Sequence, residues 1–110
     1  MAAPQSLGSL ELLVLLAVLR LGDIAYAVAV RDEIAARTRS DPSRGAVSVT
    51  LDRLERKGLL RSRLGEPTAE RGGKAKRLYT LAAAGQLALR ATLQGTQAML
   101  QGLPVPEAPP

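Results

Sequence analysis

A chain of 110 residues with no cysteine and no histidine has no thiolate, imidazole or disulfide, which excludes metal sites of those kinds, disulfide frameworks and histidine acid–base catalysis. Its size fits one domain, and its core must be aliphatic, because Phe and Trp are absent and only Tyr26 and Tyr79 are aromatic. The formal net charge of +5 is unevenly placed: Ser43 to Leu81 holds ten basic and four acidic residues, a net of +6, and the remainder sums to −1.

Met1 to Gln5 reads as a disordered end. From Leu10 to Leu21 the chain is almost wholly apolar, which raises secretion and membrane insertion as readings. Both fail on detail. No Lys or Arg precedes the run, Glu11 lies inside it and Arg20 near its end, and its twelve residues fall short of the roughly twenty that span a hydrocarbon core. The pattern predicts a buried helix over Ser9 to Leu21 instead. Leu10, Leu12, Leu13, Val14, Leu15, Leu16, Val18 and Leu19 cover most of its circumference, so it needs apolar partners on more than one side. A monomer this small could hardly wrap it, and a subunit interface including Leu12 and Leu16 is expected.

A second helix is predicted over about Ala25 to Arg37, started near Asp23, with Val28, Ala29, Ile34 and Ala35 apolar and Arg31, Asp32, Glu33 and Arg37 polar. Tyr26 reads as a core tyrosine with its hydroxyl at the surface. Thr38 to Pro42 supplies a turn.

The third helix carries the most information. Val47, Leu51, Leu54 and Gly58 share one face at spacings of four, three and four, so that face is core. Gly45, Ser48, Val49, Asp52, Arg53 and Arg56 spread over the opposite side, with only small or short side chains in the first turns. A nucleic-acid backbone could therefore lie close to the amino end. Ser43 is the expected N-cap, Asp41-Pro42 a competing start; Arg56 and Lys57 suit the negative end of the helix dipole, and Gly58 supplies the stop.

After the stop, Leu60, Ser62 and Leu64 alternate with Arg61 and Arg63, the period of a half-exposed strand. A loop from Gly65 to Lys74 follows, and alternation resumes from Ala75 to Leu81. A hairpin is marginal alone in water, so Leu60, Leu64, Tyr79 and Leu81 should pack against the helices. In Arg71-Gly72-Gly73-Lys74-Ala75-Lys76-Arg77, two glycines let a backbone approach phosphate while four cations neutralise it. A helix with a small-residue start running into a basic hairpin is the order that a winged helix-turn-helix uses: one helix in the DNA groove, a charged loop on the flanking phosphates.

The last helix, about Ala82 to Leu103, sets Leu89, Leu93, Thr96, Leu100 and Leu103 at spacings of four, three, four and three, a short heptad-like seam. Pro104 to Pro110 reads as a disordered Pro-rich tail. The organisation expected is thus a DNA-binding domain over 1–81, a dimerisation helix over 82–103 and a tail over 104–110. No internal repeat occurs. No phosphate-cradling Gly-Lys-Ser/Thr loop is present, and no spacing of carboxylates, serines or tyrosines singles out a catalytic set, so neither enzyme activity nor a metal or cofactor is expected.

Leu7-Gly8-Ser9-Leu10-Glu11, the run from Gly45 to Leu60, and Arg71-Gly72-Gly73-Lys74-Ala75-Lys76-Arg77-Leu78-Tyr79 followed by Gly85 together resemble the PadR-like transcriptional regulators, over about Leu7 to Leu103. The resemblance implies a dimeric winged-helix repressor whose first and last helices build the dimer. Some members release DNA on binding phenolic or drug-like molecules, which adds a small-molecule effector to the implied partners. The short last helix looks like the compact subfamily. The chain departs from the family where Ser48 replaces a usual Tyr and Tyr26-Ala27 a usual Tyr-Gly, and it lacks the Trp that compact members use for drug stacking.

The reading that follows is a mainly helical winged helix-turn-helix with a small β-hairpin, acting as a cytoplasmic homodimer on a palindromic operator. Ser43, Arg44, Gly45, Ser48 and Val49 should face bases or adjacent phosphates, Arg53 should brace the backbone, and Arg71, Gly72, Gly73, Lys74, Lys76 and Arg77 should hold the flank. Leu12, Leu16, Leu89, Leu93 and Leu100 should form the interface. The rival class is a winged-helix adaptor, whose basic wing would dock an acidic protein.

Overall fold

The computed structural model describes residues 5–66 and 75–104. In chain order these form α1 (Ser9–Leu21), a 3-10 turn (Gly22–Ile24), α2 (Ala27–Arg37), α3 (Arg44–Arg56), β1 (Leu60–Leu64), β2 (Arg77–Leu81) and α4 (Ala83–Leu100). The expected tail from Val105 onward, like Met1 to Pro4, lies outside the described residues.

The apolar excess of α1 is explained by its place at the centre. It packs on α2, α3, β2 and the start of α4, and Val14, Leu15, Ala17 and Val18 are buried against Val30, Ile34, Val47, Leu51 and Leu54. The expectation that one protomer could hardly enclose this helix is therefore corrected: most of it is the protomer's own core. Leu12 and Leu16 are half-buried, and only Leu19, 53 % exposed, faces outward as a large apolar residue.

The second helix begins at Ala27, two residues later than the periodicity suggests, for a reason that lies far along the chain. The carbonyl of Ala25 accepts the backbone N–H of Tyr79 at 2.9 Å, a bond made with Ala25 at φ −82°, ψ 82°, outside the helical region. Ala25 is fully buried, and Tyr26 in extended conformation becomes the N-cap. At the other end of the chain α4 stops at Leu100, short of Leu103, as Gln101 turns extended and Gly102 adopts φ +75°.

β1 and β2 pair antiparallel with Leu60 opposite Leu81, Ser62 opposite Tyr79 and Leu64 opposite Arg77. Leu60 and Tyr79 are buried and Leu81 half-buried, as an apolar edge should be, but Leu64 is 62 % exposed. Its pair lies at the far end of the ladder, beyond the reach of the helices. Burial, reinforced by the charge of Glu55, holds the Tyr79 phenol above its ordinary pKa.

α4 is seated most tightly at Gly85. An added Cβ at Gly85 would lie 2.1 Å from the Leu59 carbonyl oxygen and 3.0 Å from its carbon, and the same oxygen accepts the Ala82 N–H at 3.0 Å. Gly85, Ala88 and Leu89 are the buried residues of this helix, all in its first half. From Leu93 to Leu100 every residue is exposed.

Candidate nucleic-acid interface

The presentation of α3 starts with its cap. Ser43 is extended and its Oγ accepts the Ala46 N–H at 3.0 Å, while the helix behind it is fixed by Val47, Leu51 and Leu54, each fully buried. Fixing that face turns Ser43, Arg44, Gly45, Ser48, Val49 and Arg53 to solvent, all of them exposed. Val49 shows 53 % of its surface, an apolar residue on an otherwise polar face. Gly45 carries a further point. An added Cβ there would meet nothing nearer than the Ser43 Oγ at 4.0 Å, so nothing inside the protein requires glycine at this position.

The turn before α3 is tied by a residue that helical periodicity marks only as polar. Arg31 donates from Nε to the Pro42 carbonyl at 3.1 Å, from Nη1 to Asp32 Oδ1 at 3.2 Å, and from Nη2 to Asp41. Thr38 Oγ1 closes α2 on the Ile34 carbonyl at 2.8 Å and accepts the Ser40 N–H at 3.0 Å. No local signal marks Arg31, because two of its acceptors, the Pro42 carbonyl and Asp41, lie on the far side of the turn.

The wing residues divide. Arg71, Gly72, Gly73 and Lys74 lie outside the described residues. Lys76 is engaged, its Nζ standing 4.1 Å from the centre of the Tyr26 ring. Tyr26 is accordingly a half-buried platform under the wing base and not the core tyrosine expected. Arg77 donates to Ser62 Oγ at 3.0 Å, and Ser62 donates to Glu55 Oε2 at 2.6 Å. By contrast Arg44, Arg53, Arg61 and Arg63 are exposed and join none of the ion pairs among the described residues. Arg61 and Arg63 lie outside the expected set; their alternation on β1 is visible in sequence, but not that they join no ion pair among the described residues.

The residues expected at the interface also separate. Leu93 and Leu100 are 43 % and 40 % exposed, whereas Leu89, at 5 %, is already in the protomer's core. Leu19, Leu81, Leu89 and Leu93, with Gln86, Arg90 and Gln94 beside them, line a concavity of about 490 Å³ between α1, β2 and α4.

One buried charge bears on α3. Glu11 accepts Lys57 Nζ at 2.8 Å and the Gly8 N–H at 2.9 Å. These two bonds, the lysine's first, hold its carboxyl below the ordinary value of 4.5 against the opposing effect of burial. For a depressed carboxyl, the stabilisation is complete above the unfolded value and is lost as pH falls through the folded one. Acidification below about pH 4.5 should therefore destabilise the native chain more than its Glu11→Gln variant. Urea titrations across that range check it, and parallel curves would remove the pair as a source of acid sensitivity.

No helix among the described residues is long and apolar enough to cross a membrane. In sequence, no curated protein matches the chain. Solved structures do match in fold. A PadR family transcription regulator from Clostridium difficile R20291 superposes with a TM-score of 0.70 at 23 % identity, covering 84 % of this chain and 91 % of that one. The hsRosR-S4 complex structure gives 0.68 at 19 % identity, covering 90 % and 78 %. Bordetella bronchiseptica BpsR, whose structure addresses regulation of its DNA binding by 6-hydroxynicotinic acid, gives 0.62 at 24 % identity, covering 90 % and 69 %. The profile of the Transcriptional regulator PadR-like family matches residues 15–91. That span takes in most of α1, the α2–turn–α3 unit, the hairpin and the seat of α4 as one continuous piece, so the chain belongs to the PadR-like family of transcriptional regulators.

Proposed function

We propose that the chain is a repressor that reads a palindromic operator as a homodimer in the cytoplasm, with α3 in the major groove and the hairpin on the flanking phosphates. One observation carries this reading: the exposed face of α3 is small-featured at its start and bordered by Arg44, Arg53, Arg61 and Arg63, none engaged by a described carboxylate. Such a surface suits phosphates beside a groove. Selection of bound fragments from a random DNA pool, followed by salt titration on the selected duplex, tests it. Each phosphate neutralised contributes about 0.9 to the log–log salt slope, so a slope of several units is expected. A chain that ignores every duplex would instead be an adaptor for an acidic protein.

Dimerisation is supported by the unpartnered half of α4. A helix segment of this length is marginal in water by itself, and Leu93, Met99 and Leu100 lie exposed along it, with Leu103 exposed just beyond its end. A two-fold pairing would set the two α3 helices about 34 Å apart and the half-sites near ten base pairs apart. Leu93→Asp should leave the protomer folded and separate the subunits, because a carboxylate in that seam would be buried unpaired. Sedimentation at micromolar concentration decides, since a wild-type monomer or a dimeric mutant with full operator affinity would remove the interface. Release by a small molecule, the regulation that the BpsR structure addresses for its own protein, is the corresponding proposal here.

A further inference from the structure

Glu11 is the one buried charged residue among those described, at 7 % exposure. It sits in the first turn of α1, and its partner Lys57 is the C-cap of α3, 46 residues away. Around this bond a short clasp forms. Gln5 Nε2 donates to the Lys57 carbonyl at 3.2 Å, the Lys57 N–H donates to the Arg53 carbonyl at 3.0 Å, and the Gly58 N–H donates to the Glu55 carbonyl at 2.9 Å. The start of the chain thus grips the last turn of the helix proposed to read DNA. The other end of that helix is held by Arg31 through the turn.

Burying a carboxylate is costly, and apolar replacement of a buried ion pair often leaves stability unchanged or improved. Here only the carboxylate is buried, the Lys57 side chain being 35 % exposed, and Glu11 has a local task in accepting the Gly8 N–H at the start of α1; the reach to Lys57 is additional to that task and to the aliphatic contacts between α1 and α3. What an ion pair adds is direction. Leucines packed against leucines tolerate small slides and rotations, whereas a 2.8 Å charge-assisted bond from Lys57 Nζ to the buried Glu11 carboxylate favours the tilts of α3 about α1 that keep the two within reach. We infer that Glu11 and Lys57 are positioning residues that set the pose of α3 on α1, and through it the discrimination between operator and random DNA. This rests on the reading of α3 as the groove helix. Lys57, spent on Glu11, contributes no phosphate contact.

The test compares wild type with the double variant Glu11→Met/Lys57→Met and the exchange Glu11→Lys/Lys57→Glu. Operator and random-duplex affinities, salt slopes and melting are measured for each. The apolar pair should stay folded, melting a little below wild type because the Gly8 N–H loses its acceptor, bind random duplex with an unchanged slope, and lose about ten-fold or more of its operator-to-random ratio; the exchange should recover most of that ratio. An unchanged ratio overturns the inference, and so does a slope reduced by about one unit in Lys57→Met, which would make the lysine a phosphate contact. Should the double variant not fold, Glu11→Gln answers the same question, since it keeps the shape and removes the charge. The pose is also read without DNA. Spin labels on Ser9→Cys and Asp52→Cys, in a chain free of native cysteine and diluted with unlabelled subunits, should give a shifted or broadened distance when the pair is made apolar. If wild type binds no duplex, the proposed function falls, and the distance alone decides the positioning: a change upholds it and an identical distribution overturns it.

Discussion

Gly45→Glu is expected to abolish specific operator binding, by at least about 100-fold, while the protein stays folded. The position is exposed at the start of α3, its space is open to within 4.0 Å, and its backbone is ordinary helix. Glutamate is a better helix former than glycine and lies near the positive end of the helix dipole, so protomer stability should hold or rise slightly. In the proposed complex the same side chain would push bulk and negative charge against phosphate or base edges, at a cost of several kcal/mol. Unchanged melting with lost binding is the expected pair of results. Normal affinity for the selected operator would show that another surface is the reader.

Gly85→Ala should produce the largest loss of stability from the smallest change. In a helix interior this substitution ordinarily stabilises by up to about 1 kcal/mol. Here the added methyl would stand 2.1 Å from the Leu59 carbonyl oxygen and 3.4 Å from its Cα, against backbone that cannot rotate away. Moving α4 outward would also stretch the Ala82 to Leu59 hydrogen bond of 3.0 Å. Overpacking of this kind costs about 3 kcal/mol, enough to lower the melting temperature of a domain this size by about 10 °C or more. Gly95, in the same helix with nothing within 4 Å of an added Cβ, is the control. Its alanine variant should shift stability the opposite way. Equal effects at the two glycines would show that α4 is not seated on Leu59.

The contrast between what local pattern conveys and what it does not is clearest on α3. Its cap, apolar face, basic last turn and terminal glycine are all written within a few residues of where they act. The helix found, Arg44–Arg56 capped by Ser43, agrees with each. The start of α2 was not legible, because the Ala25 carbonyl is claimed by Tyr79 and no window around Ala25 contains that fact. Alternation told which face of β1 points inward, but not how far the helices extend beneath it, so Leu64 emerged exposed. Charge clustering counted cations in the wing without showing that Lys76 rests on Tyr26 and Arg77 on Ser62. Glu11 looked like a blemish in an apolar run until its partner appeared 46 residues later.

The pairing of Ala25 with Tyr79 has a mechanical consequence. It fastens the inner half of the hairpin to the entry of α2, where Leu60 at 2 % and Tyr79 at 9 % exposure are sunk in the core. The outer pair, Leu64 opposite Arg77, touches no buried layer. Local opening is easiest where few apolar contacts must break, so the ladder is held by apolar burial at its root and by polar ties further out, Arg77 on Ser62 and Lys76 over Tyr26. In the proposed complex, a hairpin held this way would yield to a groove rim at its outer end while its root, and with it the angle of α3, stays still.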